Sequence, residues 1–349
     1  MITGFLFLIG TVGAAIAWFI NLPMPWLIGS LVAAAFFAVR FKQKLPASYQ
    51  FPQSLRLCFI AVIGIIIGST FTTDVASTVF KLWPSLIAVL LYVGTAHAIG
   101  YQIFRRVGKY NPVNSLFAAM PGGLVEAVLL GEKAGGDVQL LTLQHFVRVI
   151  LVVIVVPFLF LIFAGELVGS AGGESFERGE WNAYDFVAMA IIGAVGLIFG
   201  KIVRLPAWHL MGPLLASGAF HAASIAEVNS PHWFINLAQL VLGVALGSRF
   251  SNMNMSLFFG ALKLCVISLS INIGLAALFA LALHQIVPTA FDVLFVSFAP
   301  GGVTEMSLIA LSLGIAPLIV ALHHLLRIFA TVMLTAYLER TGRFRPPQV

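Results

Sequence analysis

Apolar residues run through the chain in long segments that charges and turn residues interrupt. In the first half the segments lie at about 3–20, 25–40, 56–73, 80–104, 112–131 and 138–164, and in the second half at about 186–203, 208–222, 234–250, 256–283, 289–313 and 316–338. A helix needs about 20 apolar residues to cross the hydrocarbon core of a bilayer. The pattern therefore predicts an all-α, polytopic membrane protein.

Composition supports this interpretation. Hydrophobic residues make up 60% of the 349 residues and charged residues only 9%, against about 25% charged in soluble domains. These values exclude a soluble globular domain and a disordered chain. The 19 basic residues form no long block, so we expect no nucleic acid partner. The expected partners are the lipid bilayer, a small-molecule substrate and, as a further candidate, a second copy of the chain in a homodimer.

The two halves repeat one another. Residues Gly10, Gly13, Leu22, Pro23, Leu27, Gly29 and Leu31 match residues 183 positions later, and Gly64, Gly68, Ser69, Phe71, Pro121, Gly122, Gly123, Glu126, His145 and Arg148 match residues 179 positions later. So many aligned residues of uncommon type indicate a duplication. We therefore divide the chain into a first membrane repeat (1–164), an extracytoplasmic connection (165–185) and a second membrane repeat (186–349).

Each repeat is predicted to contain about five transmembrane helices and one Pro-Gly-Gly segment that is either broken or re-entrant. If that segment dips in and returns, each repeat crosses five times and the repeats are inverted. Thirteen of the 19 basic residues then face the cytoplasm, namely Arg40, Lys42, Lys44, Arg56, Arg105, Arg106, Lys109, Lys201, Arg204, Arg249, Arg340, Arg343 and Arg345. The lengths also fit a continuous broken crossing, so the charge distribution alone favours the inverted arrangement. We expect a bacterial inner-membrane protein with both termini in the cytoplasm.

Four charged residues lie deep in the predicted spans. They are Glu126 and Glu305 among the carboxylates, and Arg148 and Arg327 among the bases, and each pair occupies equivalent positions of the repeats. A charge at the centre of a membrane helix costs roughly 2.5–3.5 kcal/mol, so these groups need partners or water. They could form buried Glu-Arg ion pairs that fix helix packing. A functional site is the stronger interpretation because buried ion pairs contribute little net stability.

The Pro-Gly-Gly motifs favour a site for an anion. Proline ends one helix, and the glycines Gly122 and Gly123, or Gly301 and Gly302, permit an extended crossing before a new helix begins near Leu124 or Val303. The first amides of such a helix lack partners and carry partial positive charge. Two of these helix starts, facing each other, would attract an anion at the bilayer midplane.

Further polar residues share a helix face with each deep arginine. Gln144 and His145 precede Arg148 by four and three residues, and His323 and His324 precede Arg327 in the same way. A packing role and a role in the site or in proton relay remain equally open for His145 and His324. No metal-ligand spacing is present, so we expect no metal and no cofactor beyond a coupling proton or sodium ion.

The duplicated block carries a family resemblance. Pro121-Gly122-Gly123, Gly136-Asp137 and His145-Phe146-Val147-Arg148, with the second Pro-Gly-Gly and its arginine, resemble the AbrB family of bacterial membrane proteins over nearly the whole chain. That family is labelled both an ammonia monooxygenase and a regulator. The resemblance implies an organisation similar to cation/proton antiporters and bile-acid-type symporters, with inverted repeats and broken helices. The second half has Ile315-Ala316 in place of Gly136-Asp137, which argues against a symmetric ligand role for Asp137.

Three functions follow as hypotheses. The first is a secondary active transporter of a small organic anion, a carboxylate above all, that is coupled to protons or sodium and alternates access between the two repeats. The second is a regulatory or sensory membrane protein that binds a small ligand. The third, a membrane monooxygenase, is disfavoured by the missing metal-ligand pattern, so we expect no enzyme.

Overall fold

The computed structural model describes residues 2–46, 49–71, 75–163, 165, 181–226, 228–252 and 255–341. Over these residues the chain is helical and contains no strand, as the apolar segments predict. The helices are α1 (Ile2–Phe19), α2 (Pro25–Arg40), α3 (Gln53–Gly68), α4 (Val75–Lys81), α5 (Trp83–Gln102), α6 (Pro112–Ala118), α7 (Leu124–Lys133), α8 (Val138–Phe163), α9 (Ala183–Ile202), α10 (Trp208–Ala222), α11 (His232–Ser248), α12 (Met255–Leu283), α13 (Phe291–Phe298), α14 (Val303–Ser312) and α15 (Pro317–Arg340). Most of the predicted connection at 165–185 lies outside the described residues.

Within the described chain, seven helices are long and apolar enough to cross a membrane. They are α1, α5 with the π-helical turn that follows it, α8, α9, α11 with the 3-10 turn that follows it, α12 and α15. Helices α2 and α3 are also apolar and have 16 residues each, which corresponds to about 24 Å. The protein is therefore an all-helical chain whose helices fit a multi-pass membrane protein.

Helix α1 and its repeat counterpart α9 each expose an apolar stripe. On α1 the stripe includes Leu8, Val12 and Ile16, and on α9 it includes Ile191 and Ile198. These positions are four, seven or eight residues apart and so lie on one face of each helix. A continuous exposed apolar face of this kind fits contact with lipid.

The described helices group into two compact units that differ from the two sequence repeats. The first unit comprises Met1–Ser77, Ile154–Met253 and Ser307–Leu318, and the second comprises Thr78–Val153, Asn254–Met306 and Ile319–Val349. Each unit therefore combines helices from both repeats. The first contains α1–α3 with their counterparts α9–α11, and the second contains both Pro-Gly-Gly motifs and both deep arginines.

The packing of the first unit repeats in a reciprocal way. Gly64 on α3 lies against the Leu210 carbonyl on α10, whereas its counterpart Gly243 on α11 lies against the Leu27 carbonyl on α2. A side chain at either glycine would collide with that carbonyl, so the close approach of the two helices requires glycine. Equivalent residues of the two repeats therefore make equivalent contacts. The duplication seen in the sequence is thus also present in the contacts.

Aromatic packing holds α5, α12 and α13 together in the second unit. The ring of Tyr92 on α5 lies 5.6 Å from the ring of Phe279 and 5.5 Å from that of Phe298, edge to face in both cases. Such pairs contribute about 0.5–1.5 kcal/mol beyond their buried area. Because Phe298 is the last residue of α13, this cluster fixes the position of the second Pro-Gly-Gly motif.

Candidate functional site

Both Pro-Gly-Gly motifs interrupt a helix, as the sequence predicts. Helix α6 ends at Ala118 and α7 begins at Leu124, while α13 ends at Phe298 and α14 begins at Val303. Gly123 precedes α7 with a φ of 70°, in the left-handed region that glycine adopts without strain. The expected helix starts near Leu124 and Val303 are confirmed.

The first motif forms a hairpin that returns to its starting end. Asn114 lies in the first turn of α6, and its side-chain oxygen accepts a hydrogen bond of 2.8 Å from the backbone amide of Asp137, which follows α7. Gly131, near the end of α7, lies against Phe117 of α6. The segment that follows α7 is therefore beside the first turn of α6.

Hydrogen bonds give the direction of the next helix. On α8, His145 Nε2 donates to the Phe117 carbonyl at 3.0 Å. Arg148, one turn later, donates to the carbonyl of Met120. The partners advance together along the two segments, so α8 runs in the same direction as α6.

The second repeat shows the same pattern 179 residues later. His324 Nε2 donates to the Val296 carbonyl at 3.0 Å, and Arg327 Nη1 donates to the Ala299 carbonyl at 2.5 Å. Helix α15 therefore runs in the same direction as α13. The four residues between α14 and α15 span at most about 14 Å, too short to recross a core of about 30 Å. Helix α14 thus returns, and the second motif is also a hairpin.

The environment of Arg327 is closed. Its side chain is 1% exposed, and besides the Ala299 carbonyl it donates to the carbonyl of Gly301 and to His324 Nδ1, the latter at 2.6 Å. A carbonyl at the end of a helix has no partner within that helix and carries partial negative charge, which suits a guanidinium. These contacts make Arg327 a cap for the end of α13.

The environment of Arg148 is more open. Its side chain is only partly buried, and within the described residues its one recorded hydrogen bond joins Nη1 to the Met120 carbonyl. The Nε atom is buried without a partner. Arg148 therefore retains unused donors. The terminal nitrogens of Arg327, in contrast, bind backbone carbonyls and His324. The Nε atoms of both arginines have no partner among the described residues.

A small cavity lies beside Arg148, at the point where the two helix breaks meet. Its lining includes Pro121 and Pro300 of the two motifs, together with Ser268 and Asn272 of α12. Its volume is about 10 Å³, roughly the space that one water molecule needs. The cavity is polar on the side of α12, and in this conformation it is too small for an organic anion.

Gln144 connects this cavity to neighbouring elements. Its amide nitrogen donates to the Ala261 carbonyl (3.3 Å) and to Cys265 Sγ (3.1 Å), and its oxygen accepts a bond of 3.2 Å from the hydroxyl of Tyr110. Burial raises the pKa of Tyr110 to about 12. A tyrosine hydroxyl is protonated at neutral pH even without this shift, so it can donate here. Gln144 is thus held by three partners and lines the cavity.

His323 is the counterpart of Gln144 in the second repeat, but it does not line the cavity beside Arg148. Its Nδ1 lies 2.8 Å from the Ile319 carbonyl of its own helix, and its Nε2 lies 3.0 Å from the Ser85 hydroxyl on α5. The ring also packs against Phe298. All three contacts fit a packing role that joins α15 to α5 and α13.

The two deep carboxylates do not meet the arginines. Each lies in the first turn of its half-helix and turns back over the preceding glycine, Glu126 over Gly123 and Glu305 over Gly302. Within the described residues, no hydrogen bond or ion pair is recorded between these carboxylates and Arg148 or Arg327. The Glu-Arg packing pairs that the sequence leaves open are therefore not formed. In both repeats the guanidinium binds backbone carbonyls instead.

The structure adds residues to the site that sequence analysis did not single out. Cys265, Ser268 and Asn272 lie on one face of α12 and line the cavity. The Asn272 amide donates to the Ser268 carbonyl at 2.8 Å and to its hydroxyl at 3.3 Å. The signal available in the sequence was the difference between the repeats, because the equivalent positions are Leu86, Val89 and Val93.

The described residues contain no group of three or more His, Cys, Asp and Glu side chains placed to hold a metal ion. Both cysteines are free, Cys58 at the surface and Cys265 buried next to Gln144. The polar groups around the helix breaks are instead guanidinium, amide and hydroxyl donors, together with backbone carbonyls. Such a set binds an anion or a neutral polar molecule more readily than a metal ion.

Fold and site together define a polytopic helical membrane protein with two helix breaks and two arginines beside them in one unit. Comparison with known proteins agrees: the family described as "Transition state regulatory protein AbrB" matches residues 26–341. The chain belongs to the AbrB family. It is similar to "Putative regulator AbrB" of Escherichia coli (strain K12), with 21% identity over 90% of this chain and 88% of that protein. It is also similar to "Uncharacterized protein YhjN" of Bacillus subtilis (strain 168), with 25% identity over 93% of this chain and 89% of the relative.

Proposed function

We propose that the protein is a secondary active transporter of a small organic anion, in particular a carboxylate. The observation that carries the proposal is Arg148, whose guanidinium has unused donors beside a polar cavity at the meeting point of two helix breaks. A guanidinium binds a carboxylate through two parallel hydrogen bonds. Ser268 and Asn272 supply a hydroxyl and an amide on the facing helix. Broken helices that meet in this way are common where transporters bind their substrates.

The size of the cavity fits a closed step of a transport cycle. A space for one water molecule does not hold a carboxylate, so the substrate requires a conformation in which the two breaks lie farther apart. At each break, the ends of the half-helices leave backbone amides and carbonyls without partners in their own helix. We expect alternating access to open and close the cavity from one side of the membrane at a time.

Coupling is assigned to Glu126 and Glu305. Both carboxylates lie at half-helix starts and are not neutralised by the deep arginines, so each is available for a proton or a sodium ion. Binding such a cation offsets the cost of a bare carboxylate inside the membrane. A cation on Glu126 would also lower the electrostatic cost of bringing an anionic substrate toward the same half-helix.

The hairpins support inverted repeats. Because each Pro-Gly-Gly segment returns to its starting end, it adds no crossing, and α1, α2, α3, α5 and α8 give the first repeat five crossings. An odd number places the second repeat in the opposite orientation. The distribution of basic residues then favours cytoplasmic termini in the bacterial inner membrane. Reporter fusions after residue 175 should report the outside and fusions after residue 345 the cytoplasm, and the same side for both would exclude inversion.

A flux experiment tests the proposal. Purified protein is first screened with small carboxylates by thermal shift, and the compounds that raise the unfolding temperature are then tested as radiolabelled substrates in proteoliposomes. We expect uptake that depends on an imposed proton or sodium gradient and is abolished when the gradient is dissipated. Uptake that equals that of protein-free liposomes for every compound that binds would refute transport.

A regulatory protein that binds a small ligand is the alternative. The names of the family and of the Escherichia coli relative, both of which contain the word regulator or regulatory, favour it. The two functions differ in one measurement. A ligand sensor binds the carboxylate without moving it across the membrane, so saturable binding together with an absence of flux would favour regulation.

A further inference from the structure

A second cavity lies in the first unit, where α3 begins and α11 ends. It measures about 240 Å³ and is lined by Tyr49, Gln53, Arg56, Ser248, Arg249 and Ser251. None of these residues belongs to the proposed transport site. Two guanidinium groups in one cavity, surrounded by hydroxyl and amide groups, make its interior strongly basic.

Arg56 is placed for binding. Its side chain is partly buried in the first turn of α3, and within the described residues no hydrogen bond or ion pair is recorded for its guanidinium. An arginine without an acidic neighbour at a membrane helix end offers all its donors to a ligand. Arg249 also lines the cavity and adds positive charge. The inference does not require its guanidinium to be free.

Ser251 provides a second, independent sign of a missing ligand. Its side chain is 3% exposed, and its hydroxyl is buried and has no hydrogen-bond partner in the described part of the chain. A buried hydroxyl that lacks a partner costs about 1–3 kcal/mol, and proteins rarely retain one without a reason. Ser251 lines the cavity, so rotation about its Cα–Cβ bond can turn the hydroxyl toward a ligand there.

The start of α3 adds backbone donors to the same cavity. Pro52 precedes the helix and provides no side-chain cap. The first amides of α3 therefore lack an internal partner, and the helix dipole adds partial positive charge at this end. Gln53, the first residue of α3, lines the cavity.

We propose that this cavity binds a phosphate group. A tetrahedral phosphate presents oxygen acceptors in several directions, so it can accept bonds from a guanidinium, a serine hydroxyl and helix-start amides at the same time. A planar carboxylate would leave one of these donors unused. The volume also leaves space for the organic group of a phosphate ester.

The phosphate has two possible sources. The distribution of basic residues places Arg56 and Arg249 at the cytoplasmic surface, where a basic cavity between membrane helices is suited to the headgroup of an anionic phospholipid. A soluble phosphate ester of the cytoplasm would present the same group. The chemistry is shared, and the experiment separates the sources.

Purified protein in a phosphate-free maltoside detergent tests the site. One arm adds glycerol phosphate, the other adds phosphatidylglycerol in mixed micelles, and sodium chloride at equal ionic strength is the blank. The measured quantity is the unfolding temperature as a function of ligand concentration. A rise in the first arm identifies a soluble ester as ligand, and a rise in the second arm alone identifies a lipid headgroup.

Two variants locate the effect. Arg56→Gln and Ser251→Ala should each weaken the apparent affinity roughly tenfold or more, because each removes a bond to a charged ligand. Ser251→Ala removes only an unpartnered hydroxyl, so we expect it to fold normally. Arg40→Gln, an exposed arginine in the last turn of α2, is the matched control and should bind as wild type does.

Two results would overturn the proposal. One is an unfolding temperature that neither arm raises above the chloride blank. The other is wild-type affinity in both Arg56→Gln and Ser251→Ala. Since the measurement involves no flux, a failure of the transport hypothesis leaves this test unaffected, and the reverse also holds.

Discussion

Arg148 and Arg327 occupy equivalent positions in the two repeats, yet their surroundings differ. Both donate to the carbonyl that ends a half-helix, and the distance in sequence to that carbonyl is 28 residues in each case. Arg327 then adds the Gly301 carbonyl and His324, whereas Arg148 faces a cavity with Ser268 and Asn272. The comparison suggests that duplication produced two helix caps and that one of them, Arg148, was left with donors for a ligand.

The neighbouring helices explain how the difference arose. Helix α12 places Ser268 and Asn272 beside Arg148, while the equivalent positions of α5 are Val89 and Val93. Polar groups inside a membrane protein require partners, so a ligand or water is favoured on the α12 side and close apolar packing on the α5 side. The two repeats thus keep the same backbone scheme and differ in what fills the space beside the arginine.

The largest expected effect is a loss of stability in the variant Arg327→Ala. The substitution leaves the carbonyls of Ala299 and Gly301, and the ring of His324, buried without their donor. Each unsatisfied buried group costs about 1–3 kcal/mol, so we expect a loss of roughly 3 kcal/mol or more. Thermal unfolding of the purified protein measures it. Arg148→Ala, which frees only one recorded carbonyl, is the control, and an equal loss in the two variants would remove the distinction between the arginines.

The second largest expected effect is a loss of ligand affinity in the variant Arg148→Lys. Lysine keeps the charge but not the planar fork, so a carboxylate loses one of its two parallel bonds. We expect affinity to fall by about 10-fold or more, with an unfolding temperature close to that of the wild type. Titration of the carboxylate found in the thermal shift screen gives the affinity.

Arg327→Lys sharpens the same comparison. It should lower the unfolding temperature and leave the affinity of the remaining folded protein nearly unchanged. Wild-type binding and uptake in both lysine variants, or a ligand that proves to be a cation, would show that neither arginine holds the substrate.

How much of this site could be predicted from sequence depends on the type of signal. The positions of the helix starts at Leu124 and Val303 follow from local rules, because proline and paired glycines act on the backbone that contains them. The partners of the arginines do not follow from such rules. A search for opposite charges pairs Arg148 with Glu126, but the hairpin brings the Met120 carbonyl to the guanidinium first. Backbone acceptors become visible only once the direction of the returning helix is known.

Sequence analysis did not single out the polar face of α12, for a different reason. A few small polar residues within a long apolar helix commonly bond their own backbone, and Asn272 does so through the Ser268 carbonyl. Their meaning depends on which helix they face, which is a long-range property. Comparison of the two repeats would have found them, because Leu86, Val89 and Val93 are apolar at the matching positions.

A third prediction exchanges the residues that make the repeats differ. Asn272→Val places at α12 the residue that α5 has at position 93, and Ser268→Ala removes the hydroxyl beside it. Each loses one neutral hydrogen-bond donor to the ligand, worth about 0.5–1.5 kcal/mol, so affinity should fall by up to about tenfold. Carboxylate titration measures the change. Ser270→Val, on the exposed face of the same helix, should bind as wild type does. If it weakens binding equally, the effect arises from α12 as a whole.

The smallest expected effect on affinity is that of Glu126→Gln and Glu305→Gln, because neither carboxylate contacts the arginines or lines the cavity. Glutamine keeps the shape of the side chain and removes its charge, so a step that loads a proton or sodium ion no longer takes place at that position. If the two carboxylates carry the coupling cation, uptake should lose its dependence on the pH or sodium gradient while carboxylate binding stays near the wild-type value. Glu305 is 8% exposed and Glu126 is more accessible, so the two variants should differ in how much of this dependence they lose. Proteoliposome uptake at several imposed gradients gives the dependence, and the binding titration gives the control. If both variants keep the wild-type dependence on pH and sodium, the carboxylates belong to the helix starts alone, and coupling must be sought elsewhere.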